Sequence, residues 1–226
     1  MSDDPKSLLL DAILPHVVFE GWSEPAFRAA IADSGVSPQA ARAACPRGAI
    51  DLAVAYHRRG DAQMLAAWQA KPPTGLRYSE KVAHLVWSRL AGADKDIVRR
   101  GSALFALPHM APRGAALIWG TADAIWNALG DTSDDLNWYS KRAILSGVYG
   151  SVVLFWLGDA SVDGAATRDF IDRRIADVMR VEKVKAQVAA SPLFRPFAGA
   201  ATRFAAAFKP PRRAMPPDLP GHWTPQ

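Results

Sequence analysis

The chain has a single cysteine, Cys45, among 226 residues, which excludes a disulfide framework and fits a reducing compartment. Runs of alternating β-branched residues never exceed a few positions, so little sheet is expected. Long apolar stretches are missing too. The strongest, Gly147 to Gly158, falls short of the ~20 residues a membrane span needs, and Arg142 and Asp159 lie close on either side. The opening MSDDPKSLLL has acids where a secretory leader carries lysine or arginine, and it lacks the arginine richness of a transit peptide. No export is expected, and the protein is read as soluble or peripheral. The five histidines fall on different elements, with no HExxH or Glu-x-x-His pair, no dinucleotide or Walker glycine loop and no GxSxG. Catalysis by this chain alone is therefore not expected, and neither a metal nor a cofactor is.

What is present is apolar bulk. Half of the residues are hydrophobic and 22% are charged, a balance that a disordered chain does not have. At roughly 150 residues per domain, the length fits one sizeable domain or one plus an appendage. The net charge of +5 is localised: Arg195, Arg203, Lys209, Arg212 and Arg213 lie between Pro192 and Pro217 with no acid among them. The remainder is neutral. A neutral body with a basic tail points to an anionic membrane surface or an acidic partner more than to a nucleic acid.

Apolar spacing is helical nearly throughout, in alanine-rich segments punctuated by Gly and Pro. Helices are expected at about Ser7 to Leu14, Glu24 to Asp33, Pro38 to Ala44, Ala49 to Gln69, Ser79 to Leu90, Asp94 to Ala106, Ala111 to Leu129, Asp134 to Leu157, Gly164 to Met179 and Phe194 to Lys209. Ser23 and Ser37 read as N-caps, Pro38 as a first helical residue, and Gly130 and Gly158 as stops. No internal repeat is visible, and Pro210 to Gln226 reads as an extended tail. The second half of the Asp134 helix is apolar all round, which predicts burial at the centre of a bundle. Leu117, Trp119, Val148, Val152, Phe155 and Trp156 are plain core on one reading. On the other, large rings leave gaps that a long apolar ligand fills.

The first three helices, with Gly21-Trp22 and the turn Asp33-Ser34-Gly35-Val36, resemble the helix-turn-helix module of the TetR family, spanning about residues 7 to 45. Base reading requires side chains that reach the major groove. The third helix reads SPQAARAAC, in which only Gln39 and Arg42 carry reaching hydrogen-bonding groups, and Pro15 is expected to break the first helix. The module is read as retained scaffold, with no nucleic acid as partner. The other candidate motifs are weak. Cys45 has no obvious base beside it and is read as structural, while Glu80 and His84 are read as a surface pair.

The densest chemistry is Asp134-Asp135-Leu136-Asn137-Trp138-Tyr139-Ser140-Lys141-Arg142. It is either a capped helix start with a buried tryptophan or a binding hot spot built from Trp, Tyr and Arg. With LPHVVFEGW (Leu14 to Trp22), PRGAIDL (Pro46 to Leu52), ALPHM (Ala106 to Met110), GDTSDDLNWYSKRAIL (Gly130 to Leu145) and TRDFIDRRI (Thr167 to Ile175), the chain resembles the TetR-fold accessory proteins of ubiquinone biosynthesis, a family of alphaproteobacteria and mitochondria. The resemblance implies a non-enzymatic, usually dimeric protein. It would bind isoprenoid quinone intermediates and assist the di-iron demethoxyubiquinone hydroxylase through Asp135, Trp138, Tyr139 and Arg142. The lack of a transit peptide favours a bacterial member, placed in the cytoplasm on the inner face of the cytoplasmic membrane.

At about 100° per residue, Leu193, Phe194, Phe197, Ala201, Phe204 and Phe208 share one face, with Arg195, Arg203 and Lys209 pointing elsewhere. Such a helix lies in the membrane interface, with Phe194, Phe197, Phe204 and Phe208 in the acyl boundary and Arg203 and Lys209 toward anionic phospholipid headgroups. The same stripe could instead dock on its own domain or on a second subunit. The expected organisation is thus an all-α, TetR-like lipid-binding bundle over 1–190, followed by an amphipathic helix and tail over 191–226. The competing readings are a ligand-responsive TetR-type regulator and an isoprenoid-metabolising enzyme.

Overall fold

The structure, a computed structural model, describes residues 4–133 and 136–190. The described residues form α1 (Pro5–Glu20), α2 (Glu24–Ser34), α3 (Pro38–Ala44), α4 (Ala49–Ala70), α5 (Tyr78–Ala91), α6 (Lys95–Ala106), α7 (Ala111–Ala128), α8 (Leu136–Gly158), a short 3-10 turn (Val162–Gly164) and α9 (Ala165–Ala190), with no strand among them. The all-helical expectation holds. The amphipathic segment and tail, 191–226, lie outside the described residues, as do Asp134 and Asp135.

Local chemistry sets the helix ends. The Ser23 and Ser37 hydroxyls accept the amides of Ala26 and Ala40, and Pro25 and Pro38 sit in first turns where no N–H is needed. Between α2 and α3 the chain reverses at Gly35, whose φ of 68° is the left-handed conformation a side chain resists. The Asp94 carboxylate caps α6 by accepting from Asp96 and Ile97.

Three expectations need correction. Pro15 does not break the first helix; α1 runs through it to Glu20. Proline there removes the bond to the carbonyl of Asp11, but both residues are exposed, so water can serve that carbonyl. Meanwhile Leu9, Leu10, Ile13 and Val17 anchor the other side in the core. The last described helix extends to Ala190, well past Met179. And α8 is not buried all round: it packs on α7 and α9 through Val148, Val152 and Trp156, but Leu154 is 70% exposed and Phe155 37%.

The core divides in two. An N-terminal cluster gathers α1 to α3 around Leu9, Ile13, Phe27, Ala41 and the buried Cys45, whose thiol burial pushes up. A second cluster gathers α5, α7, α8 and α9 around Leu85, Ile125, Val152 and Ile171. Helix α4 contributes Leu52 to the first and Met64 to the second, joining the two.

Candidate functional site

Between α4, α5, α6, α7 and α8 lies a cavity of about 410 Å³, within the range of small-molecule sites. Its walls are largely apolar, with Leu90, Ile97, Leu117, Ile118 and Val153 prominent. Small residues make the room, since Gly101, Gly114 and Gly150 line it where larger side chains would fill it. Gly114 is also required by packing, because a Cβ there would meet Phe105 Cβ at 2.8 Å. The exposed members of the lining, Ala106, Ala111, Ala115 and Leu154, form an apolar mouth.

The deep wall is polar. His57, Arg89 and Tyr149 line the cavity, and Asp61 and Thr121 stand behind them. Arg89, 6% exposed, donates from Nε to Asp61 Oδ1 at 2.6 Å and from Nη2 to the His57 carbonyl at 2.9 Å. The Thr121 hydroxyl donates to the same Asp61 oxygen at 2.9 Å and lies 2.9 Å from His57 Nε2. Burial is the main reason that His57 is held down to about 4; nearby Asp61 opposes it without prevailing. The imidazole is therefore neutral. Burial likewise pushes Tyr149 up to about 12, so its hydroxyl keeps its proton. This network went unread in the sequence. Its visible signals were His57 and Asp61 one helical turn apart, and Gly60 in mid-helix between them, where a side chain would collide with the Arg89 guanidinium.

A second cluster surrounds the start of α8. Arg142 is 1% exposed; it donates from Nε to Asp123 at 2.6 Å and from Nη1 to Asp131 at 3.1 Å, and its Cζ lies 4.0 Å from the centre of the Trp138 ring. Burial raises Asp131, but hydrogen bonds from Lys141, Ser133 and Arg142 outweigh it and hold the carboxyl below its usual range. Arg142, read as a partner-binding residue, is buried in this structure, with its guanidinium packed over the Trp138 ring as an internal strut. Trp138 and Tyr139 are half-buried with ring centroids 4.8 Å apart, and Trp119 joins them at 6.0 and 6.5 Å. Asp135 lies outside the described residues, as do Phe194, Phe197, Arg203, Phe204, Phe208 and Lys209.

Of the six residues read as lipid contacts, only Leu117 lines the 410 Å³ cavity. Val148 lines a smaller pocket of about 240 Å³ between α5, α7, α8 and α9. Val152 and Trp156 are core, Trp119 belongs to the aromatic cluster, and Phe155 stacks on Phe170 at 4.3 Å in an exposed position. In the helix-turn-helix, Arg42 pairs with Glu24 and covers the Phe27 ring. Among the described residues, no group of His, Cys, Asp and Glu is arranged to hold a metal, and no helix is long and apolar enough to cross a membrane.

This arrangement, a three-helix head on a bundle with an internal cavity, is the TetR-type fold. A TetR transcriptional regulator from Nitrosomonas europaea superimposes with a TM-score of 0.63 over 77% of this chain and 97% of its own, at 19% identity, which establishes the fold alone. The family model described as COQ9 matches residues 111–182, that is α7, α8 and most of α9. The probable ubiquinone biosynthesis protein coq9 of Dictyostelium discoideum is 29% identical over 80% of this chain and 61% of its own. That of Schizosaccharomyces pombe is 31% identical over 75% of this chain and 68% of its own. The chain belongs to the COQ9 family. It spans 28% of the bovine relative, with 36% identity over 89 residues.

Proposed function

We propose that this protein acts in ubiquinone biosynthesis as a non-enzymatic carrier, which takes an isoprenoid quinone intermediate from a membrane and brings it to the demethoxyubiquinone hydroxylase. Family membership supports the pathway. The observation that carries the lipid-binding part is the 410 Å³ cavity with its apolar mouth. A polyisoprenoid exposed to water costs about 25 cal/mol per Å² of apolar surface, so its ring does not leave the bilayer unaided. A cavity that shields the ring and first part of the tail, while the rest stays in hydrocarbon, removes most of that cost.

The docking surface proposed for the hydroxylase is the aromatic cluster Trp119, Trp138 and Tyr139, set in place by the Arg142 strut. Large half-exposed rings are the side chains that dominate protein interfaces. Peripheral membrane attachment through 191–226 and self-association to a homodimer complete the proposal. Operator binding is not part of it. The third helix is PQAARAA, and its one base, Arg42, is taken up by Glu24 and Phe27. The test is hydroxylase affinity for the Trp138→Ala and Tyr139→Ala variants. Each is expected to weaken binding by at least about tenfold while lipid content stays unchanged. Unaltered affinity in both would remove the aromatic cluster as the docking surface.

A further inference from the structure

A second hollow, separate from the apolar cavity, opens where α4 and α7 pack together. It is a cleft of about 700 Å³, and its lining is rich in bases. Lys6 comes from the first turn of α1, Arg47 from the loop before α4, Arg58 from α4 itself and Arg113 from the first turn of α7. Val54, Met110 and Leu117, all buried, supply an apolar floor. Bases gathered over low-dielectric walls focus their field into the space between them. None of the lining residues belongs to α3, the helix that would enter a DNA groove.

The acids of the cleft are already spent. Asp51 accepts from the Arg47 amide and from Arg47 Nε, both at 2.8 Å, and Asp61 is held by Arg89 and Thr121. Burial raises Asp51, but the bonds and charge of Arg47, with the Lys6 charge behind them, hold its carboxyl below the usual range. The other bases go unmatched. Among the described residues, every arginine side chain except Arg28, Arg58 and Arg113 has an ion pair, a hydrogen bond or a ring contact. Two of those three lie in this cleft, and Arg113 is half-buried there. Lys6, in the same cleft, has no ion pair among the described residues either. A partly buried charge without a counter-ion is costly, so the cleft is built for an anion that arrives from outside.

The chemistry of the cleft selects the anion. The backbone offers little at the start of α7: the Ala111 amide is on the Leu107 carbonyl, that of Arg113 is on the Met110 carbonyl, and Pro112 has none. Recognition falls to side chains, and the guanidinium fork matches the oxygens of a phosphate. Four bases face two acids, an excess of two positive charges. A phosphate monoester, at about −1.5 to −2 near pH 7, balances that excess, whereas one carboxylate does not. We infer that this cleft binds a phosphate monoester group, with Arg58 and Arg113 donating to its oxygens and Lys6 adding charge. The group is carried by a lipid headgroup or by a soluble ester. The inference is independent of the carrier reading, which concerns the apolar cavity.

The experiment uses the full chain, Arg58→Gln, Arg113→Gln and, as a control for charge alone, Arg28→Gln, which lies outside the cleft. One arm titrates inorganic phosphate by calorimetry at low ionic strength. The other measures flotation with vesicles of phosphatidylcholine and phosphatidic acid, to which residues 191–226 contribute equally in all four proteins. Arg58→Gln and Arg113→Gln are each expected to weaken binding by at least about tenfold, the worth of a hydrogen bond to a charged group, while Arg28→Gln binds as the native chain does. That pattern in the phosphate arm alone assigns a soluble ester. In the vesicle arm alone it assigns a lipid headgroup, and in both arms it shows that the cleft accepts the group from either source. Absence of binding in both arms, or binding that Arg28→Gln weakens as much as the cleft variants do, overturns the site. So does binding that no variant alters. Should Arg113→Gln not fold, the exposed Arg58→Gln decides.

Discussion

His57 carries the clearest pH signature of any single residue. Its folded value of about 4 lies below the ordinary 6.5 because burial penalises the charged ring. Between those values the unfolded chain binds the proton and the folded one does not. The stabilisation is therefore complete above pH 6.5 and is lost as pH falls toward 4. The difference is worth about 3 kcal/mol at about 1.4 kcal/mol per unit. Urea unfolding at pH 7 and pH 4.5 should show the loss in the native chain and a much smaller one in His57→Asn. An equal loss in both would mean that other groups set the acid limit. The residue scale is also where the sequence was hardest to read. Arg142 was visible as a binding residue by type and spacing, but its burial depends on Asp123 and Asp131, which approach from α7 and the loop after it. Tyr149 and Arg89 meet only because α8 and α5 both border the cavity, and no local pattern announces that.

At the scale of the element, α4 shows how a residue that weakens a helix is held in place by its neighbour. Gly60 lies inside Ala49–Ala70, where alanine would ordinarily be better by about 1 kcal/mol. A Cβ at Gly60 would sit 2.5 Å from Arg89 Cζ, and that guanidinium is fixed by Asp61 and the His57 carbonyl. Overpacking of this kind costs about 1 to 3 kcal/mol, so Gly60→Ala should destabilise by up to about 2 kcal/mol net. A variant more stable than the parent in chemical denaturation would show that the contact is slack. Helix identities were legible from apolar period and caps, and Ser23, Ser37 and Pro38 fell where their chemistry demands. Pro15 misled because its rule holds for a freed carbonyl without water, and this one faces solvent. The burial of α8 misled for a related reason: Val, Leu, Phe and Trp run round the helix, but α6, α7 and α9 cover only part of it, leaving Leu154 and Phe155 outside.

For the whole molecule, the fold places a three-helix head and a hollow bundle on one long helix, α4, and the function proposed here belongs to the hollow. The space comes from small residues where α6, α7 and α8 meet, Gly101, Gly114 and Gly150, and its mouth is apolar. Ala115 stands at that mouth with its side exposed, so Ala115→Trp places an indole across the opening without entering the core. The decisive measurement is native mass spectrometry, with lipid extraction, of the gently purified full chain beside Ala115→Trp. A quinone-like or phospholipid adduct is expected on the native chain and is expected to be largely missing from Ala115→Trp at unchanged melting temperature. A native chain that flies empty, or a variant that keeps the same adduct, would contradict the account.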